Sequence, residues 1–307
     1  MRHAILDLGT NTFNLLIVET GCCENPKVIL SRKEPVKLGE GGITEGRISD
    51  AAFSRGIAAL ENHMKYITGN RAEVVHAYAT SAIRSASNGL EFVTTVYRKF
   101  NIGIQIISGD READLIYLGV KQAVDMGVRK HLILDIGGGS NELIIADSNN
   151  IYWKKSYPLG MARMLEKFKP SDPITPEEVI SLEKHFSSSM SCFIEAAAEH
   201  TPEILIGSSG SFDTFRALLM PATGSSPFYH IDPAGFGKLL DRLLKSDARE
   251  RMSMEGMDPM RVEMIVIAAI FVNFIIRSLD IKQLIQSNYA LKEGAVNEIL
   301  NHQILQA

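Results

Sequence analysis

The chain has 307 residues, 45% of them hydrophobic and 22% charged, with 32 Lys and Arg against 36 Asp and Glu for a formal net charge of −4. That composition excludes a disordered chain. The acidic balance excludes the general basic excess with which proteins hold nucleic acid, so no nucleic-acid partner is expected and any phosphate site has to be built locally.

The length suits two domains of about 150 residues, and two domains imply a cleft. Residues 3–6 and 15–18 are short apolar runs on either side of a turn that begins at Asp7 and contains Gly9, Thr10, Asn11 and Thr12. This predicts strand, tight turn and strand. The first apolar run is too short for a signal peptide before Asp7 interrupts it. A glycine loop follows at 37–42, and Ser49 is the expected N-cap of a helix through Ile67, with Phe53, Ile57, Leu60, Met64 and Ile67 at helical spacing. Next come a strand over 73–79, a polar turn over 80–88, a helix over 90–100, a strand over 104–107 and a helix from about 110 to 126.

The hairpin then recurs. Residues 131–134 and 143–146 flank Asp135-Ile136-Gly137-Gly138-Gly139-Ser140-Asn141-Glu142, which aligns without gaps on the first copy, Asp135 lying 128 residues after Asp7. Two such hairpins in register predict a duplicated domain, with the boundary near 120–129. In the second half Thr175 and Glu178 frame Pro176 as a capping box. A strand over 204–206 feeds the loop Gly207-Ser208-Ser209-Gly210-Ser211, and a helix is predicted over 261–279 before a last strand and helix. The most apolar part of that helix is shorter than the ~20 residues that cross a bilayer and contains Asn273, so a buried helix and no membrane partner are expected. The order is α/β. Cys22, Cys23 and Cys192 give no disulfide framework and no metal-ligand spacing, which fits a reducing cytoplasm.

Glycine- and hydroxyl-rich turns expose successive backbone N–H groups, which bind phosphate oxygens without a cationic side chain. The phosphate-binding candidates are therefore Gly9, Thr10, Asn11 and Thr12 in the first hairpin, Gly137, Gly138, Gly139, Ser140 and Asn141 in the second, and Ser209 and Gly210 in the third loop. Asp7 and Asp135 end apolar strands, where a carboxylate is costly unless it faces water or a cation. Mg²⁺ bridging to phosphate oxygens is the natural partner, with Glu142 a second candidate ligand beside Asp135. The alternative is that each Asp hydrogen-bonds its own turn.

These segments are joined in order by Lys37-Leu38-Gly39-Glu40-Gly41, Ala79-Thr80-Ser81-Ala82-Ile83-Arg84, Ser108-Gly109-Asp110-Arg111-Glu112-Ala113 with Leu115-Ile116-Tyr117-Leu118-Gly119-Val120, and Pro158-Leu159-Gly160. Together they cover nearly the whole chain and resemble the exopolyphosphatase and guanosine pentaphosphate phosphatase (Ppx/GppA) family of the actin, sugar kinase and Hsp70 superfamily. The Ser-Gly-x-x-Glu-Ala helix start is the most specific of them. The resemblance implies an α/β fold of two duplicated actin-like (RNase H-like) domains flanking a central cleft, residues 1–124 and 125–307, with the last helix able to pack back on the first domain. It implies hydrolysis of the terminal phosphoanhydride bond of inorganic polyphosphate or guanosine pentaphosphate, a need for Mg²⁺, and a cytoplasmic homodimer whose ligand is polyphosphate or a guanosine penta- or tetraphosphate. Glu112 matches the catalytic carboxylate that positions the attacking water, and Arg84 the phosphate-contacting arginine. A first-turn helix position favours ionised Glu112 by about 0.3–1 kcal/mol. Lys37 either holds the distal chain or is solvated.

Two positions depart from the family pattern. Arg111 stands where an acid usually precedes the catalytic Glu, and Asn141 where threonine is common; both bear on substrate preference more than on reaction type. Two other readings stay open. One is a phosphotransferase of the same superfamily, for which no acceptor-binding insertion is found, and the other is a non-catalytic polyphosphate or nucleotide sensor.

Overall fold

The two hairpins found in the sequence each open a sheet. The computed structural model describes residues 1–21, 26–220 and 226–306, the last five of these as backbone only; Cys22 and Cys23 lie outside the described residues, and Cys192 is an exposed free thiol. By internal contacts the chain divides into two units, Met1–Leu118 with Leu291–Ala307, and Gly119–Ala290.

The first unit runs β1 (Arg2–Leu8), β2 (Thr12–Glu19), β3 (Lys27–Pro35), α1 (Asp50–Gly69), β4 (Val74–Ala79), α2 (Ser81–Ser85), α3 (Gly89–Phe100), β5 (Ile104–Ile106) and α4 (Gly109–Ala123), inside which the unit boundary falls. Its sheet has the order β3-β2-β1-β4-β5, with β1 antiparallel to β2 and parallel to β4. Buried on both faces, β1 is a near-continuous apolar run in which Ala4, Ile5, Leu6 and Leu8 are wholly inaccessible. Ser49 caps α1 by accepting from the Ala52 amide, as its spacing predicts. Phe92 of α3 meets Phe13 and Phe53 edge-on at 6.4 and 5.0 Å, which locks α1 and α3 onto the sheet. The expected polar turn over 80–88 contains α2 instead. Five residues are too few to show a period, and burial of Ser81, Ala82 and Ile83 drives that turn.

The second unit repeats the scheme through β6 (His131–Ile136), β7 (Asn141–Ala146), β8 (Ile151–Tyr157), α5 (Met161–Phe168), α6 (Pro176–Ser189), α7 (Ser191–His200), β9 (Ile204–Ser208), α8 (Ser209–Leu219), β10 (Phe228–Ile231), α9 (Pro233–Lys245), α10 (Ala248–Met252), α11 (Ile265–Leu279) and β11 (Gln283–Ser287). The order β10-β11-β9-β6-β7-β8 is that of the first sheet plus one antiparallel edge strand. Both units are α/β. The capping box at Thr175 and Glu178 is formed. The apolar helix begins at Ile265 and not at Arg261, because Asp258 accepts the Met260 amide on its side chain and the Arg261 amide on its carbonyl, closing short turns before the helix can start. Among the described residues no helix is long and apolar enough to cross a membrane. The last helix, α12 (Leu291–Gln306), belongs to the first unit and packs on β1.

Candidate active site

Each hairpin turn is closed in the same way. The Gly9 amide donates to the Thr12 carbonyl at 3.1 Å, and the Gly137 amide to the Ser140 carbonyl at 3.1 Å. Each turn is also backed by the segment that leaves the third strand. In the first unit the Val36 and Lys37 amides both donate to the Asn11 carbonyl at 2.9 Å and the Gly39 amide to Thr10 at 3.2 Å. Arg55 of α1 holds that backing loop by donating to the carbonyls of Val36 and Lys37, each at 2.9 Å, and to Glu40 at 2.7 Å.

In the second unit the start of α5 provides the backing. The Met161 amide donates to Gly137 at 3.0 Å, and the Ala162 and Arg163 amides donate to Gly138 at 2.9 and 3.2 Å. A Cβ on Gly160 would lie 2.4 Å from backbone atoms of Gly138 and Gly139, so only glycine permits this approach. With the Gly138 and Gly139 carbonyls drawn toward the start of α5 and the Ser140 carbonyl closing the turn, Gly138, Gly139 and Ser140 have amides that donate to no backbone carbonyl among the described residues. Successive uncommitted amides are what an anion-binding turn requires.

Asn141 is wholly buried and its amide nitrogen donates to the Leu159 carbonyl at 2.8 Å. Its donor is thus used inside the protein, and its Oδ1 has no hydrogen-bond partner.

The carboxylates sit directly across the hairpins. Asp7 is in register with Asn14, whose Nδ2 donates to its Oδ2 at 2.8 Å. Asp135 is in register with Glu142, and both are buried. The Asp135 Oδ2 accepts the hydroxyls of Ser208 at 2.7 Å and Ser209 at 2.6 Å, while the Glu142 Oε1 accepts those of Ser140 and Ser156, both at 2.7 Å. Burial pushes the Asp135 carboxyl above its ordinary range, and the two serine hydroxyls oppose that shift. The Ser209 side chain is therefore engaged with Asp135, and its backbone stands at φ 70° in the first turn of α8.

Two buried carboxylates on one sheet face are oxygen donors of the kind that fit a hard cation that keeps much of its water. Among the described residues no group of three or more His, Cys, Asp or Glu gathers as a metal cluster.

Sequence reasoning missed Arg261. It is 7% exposed, and its guanidinium comes within 2.2 Å of where a Cβ on Gly210 would stand, so it covers the start of α8. Its Nε lacks a partner, and burial pulls it below the ordinary guanidinium range against the pull of Asp258, Asp213 and Asp135. No local pattern marks it, because Gly210 and Asp135 are distant in sequence.

The first unit brings Glu112 and Arg84 together. Glu112 is 7% exposed in the first turn of α4, its amide bonded to the Ser108 carbonyl at 2.9 Å. Arg84, from the end of α2, donates through Nη1 to the Glu112 Oε2 at 2.8 Å and to the Ile107 carbonyl at 3.0 Å. The guanidinium thus lies directly on the buried carboxylate and pairs its charge. Lys37 lies 4.0 Å from Glu40, half exposed.

The model of the Ppx/GppA phosphatase family matches residues 17–303. Exopolyphosphatase 1 of Mycobacterium leprae is 26% identical over 300 residues, covering 96% of this chain and 88% of the relative. The same enzyme of Mycobacterium tuberculosis is 26% identical over 307 residues, covering 96% and 87%. Among solved structures, an exopolyphosphatase from Cytophaga hutchinsonii superposes with a TM-score of 0.96 at 32% identity, covering 98% of each chain. The Aquifex aeolicus member of the Ppx/GppA family matches in fold, with a TM-score of 0.82 at 24% identity over 99% and 98%.

Proposed function

The chain belongs to the Ppx/GppA phosphatase family, and from that premise we propose that it hydrolyses inorganic polyphosphate from its end, water attacking the terminal phosphorus and orthophosphate leaving. The observation that carries this reading is the buried Glu112 carboxylate held at 2.8 Å by Arg84 at the start of α4. Glu112 orients the attacking water and takes its proton as the new oxygen–phosphorus bond forms and the bond to the bridging oxygen breaks. The chain shortened by one phosphate carries off the electron pair. Arg84 has five N–H donors, only some of them committed to Glu112 and Ile107, and the rest suit the oxygens of the terminal phosphate. Phosphoryl transfer depends on such positioning and charge neutralisation more than on covalent chemistry by the protein.

In the second unit the amides of Gly138, Gly139 and Ser140 and the backbone at Ser209 and Gly210 bind phosphoryl oxygens. The turn of Gly9, Thr10, Asn11 and Thr12 does the same in the first. Asp135 and Glu142 would hold Mg²⁺, which when bound neutralises charge on those oxygens. The exopolyphosphatase relatives from Mycobacterium and Cytophaga support polyphosphate as the substrate.

Replacing Glu112→Gln keeps size and hydrogen bonding while removing the proton acceptor. The expected outcome is a kcat lower by about 10²–10⁴ with polyphosphate binding largely retained. Equal rates of phosphate release by the two proteins would remove Glu112 from the mechanism.

A further inference from the structure

We propose that Arg111 and Glu298 form a positioning pair through which the C-terminal helix fixes the first turn of α4, and with it the carboxylate of Glu112; this rests on the reading of Glu112 above. The Arg111 Nη2 donates to the Glu298 Oε2, joining residues 187 apart in sequence, and both side chains are two-thirds or more sheltered from water. Arg111 stands where the sequence pattern leads one to expect an acid, and an acid there would repel Glu298. The charge at Arg111 therefore suits its partner.

The geometry assigns the pair its work. Successive helical residues point about 100° apart, so Arg111 anchors one face of the turn while Glu112 uses another. The contacts that fix the turn include the Arg111 amide on the Ser108 Oγ at 3.1 Å, Glu112 on Arg84 at 2.8 Å, and Arg111 on Glu298. Of these, only the last comes from α12, which also packs on β1, the strand that carries Asp7. Tyr78 of β4, buried and in register with Asp7, senses both members of the pair. Burial raises its phenol above the ordinary range, Glu298 adds to the shift and Arg111 opposes it. Losing one partner removes the anchor that α12 gives the turn. Misplacing a catalytic group by as little as 1 Å costs up to about 100-fold.

The test uses the whole protein with R111Q, E298Q, the double variant, and the charge swap R111E with E298R. Steady-state phosphate release from polyphosphate is measured in Mg²⁺, alongside hydrogen exchange at the amides of residues 110–113. Each single variant is expected to lose about 10-fold in kcat with KM within about two-fold. The double variant should be no worse than either single one, and the swap should recover most of the rate. Single variants that keep the wild-type kcat, losses that multiply in the double variant, or a change confined to KM would overturn the pairing. Should the wild type release no phosphate, the hydrolytic reading fails by itself and hydrogen exchange decides the pair. Faster exchange over 110–113 in E298Q upholds it, and unchanged exchange removes it.

Discussion

The two sheets carry a polar row at the same place, and the rows differ in one telling respect. Across β3, β2, β1 and β4 the first reads Lys33, Asn14, Asp7, Tyr78; across β8, β7, β6 and β9 the second reads Ser156, Glu142, Asp135, Ser208. Residues in register share a sheet face, so each row is a line of neighbours. In the first row an amide satisfies the aspartate locally. In the second an acid takes the amide's position, and serine hydroxyls donate to both carboxylates. One scaffold has therefore been kept twice, while a single position on the returning strand changes a self-contained aspartate into a buried acid pair. Burying two carboxylates side by side is unfavourable without a counter-charge, so the second row is the stronger candidate for holding a cation.

That contrast can be broken by exchanging its parts. Glu142→Gln should raise the Mg²⁺ concentration needed for half-maximal activity by at least about 10-fold, the scale on which metal sites respond to altered partners. Asn14→Ala, at the matching place, should leave the Mg²⁺ requirement nearly unmoved and cost only the lost hydrogen bond, about 0.5–1.5 kcal/mol of unfolding free energy. Mg²⁺ titrations of the two variants check this, and equal shifts in both would erase the distinction between the rows.

A smaller effect sharpens the same comparison in the backing of the turns. A Cβ added at Gly160 would meet backbone atoms of Gly138 and Gly139 at 2.4 Å, whereas one added at Gly39 would meet the Thr10 methyl at 2.7 Å and Ile43 side-chain atoms from 3.0 Å. Side chains give way more cheaply than backbone. Gly160→Ala should therefore destabilise by about 1–3 kcal/mol and Gly39→Ala by clearly less, measured as denaturant unfolding midpoints. Equal losses would mean that the two turns are supported alike.

Much of this was legible in the sequence because it is local or repeated. The strand-turn-strand echo, the Ser49 cap and the Thr175–Glu178 capping box each need only a few contiguous residues, and all three are formed. Asp7 and Asp135 stood out as charges in apolar runs. What was not legible depends on tertiary packing. The helix α2 is too short for periodicity, and α11 starts late because Asp258 closes turns ahead of it. Gly39 and Gly160 were visible as glycines within motifs, but their partners across the turns were not. The use of the Asn141 donor by Leu159, the serine hydroxyls on Asp135, Arg261 over Gly210 and the Arg111–Glu298 pair all join residues between 18 and 187 positions apart. No pattern in a short window reports such pairs.

The central claim is that this chain hydrolyses polyphosphate with a carboxylate and a cation. Its most direct test is orthophosphate release from long-chain polyphosphate by the purified protein, with Mg²⁺ and again with Mg²⁺ chelated, guanosine pentaphosphate being run alongside. Steady release without any added acceptor, faster from polyphosphate than from the nucleotide and lost on chelation, is the predicted result. Release from neither substrate, or transfer that begins only when a sugar or acid acceptor is supplied, would contradict it.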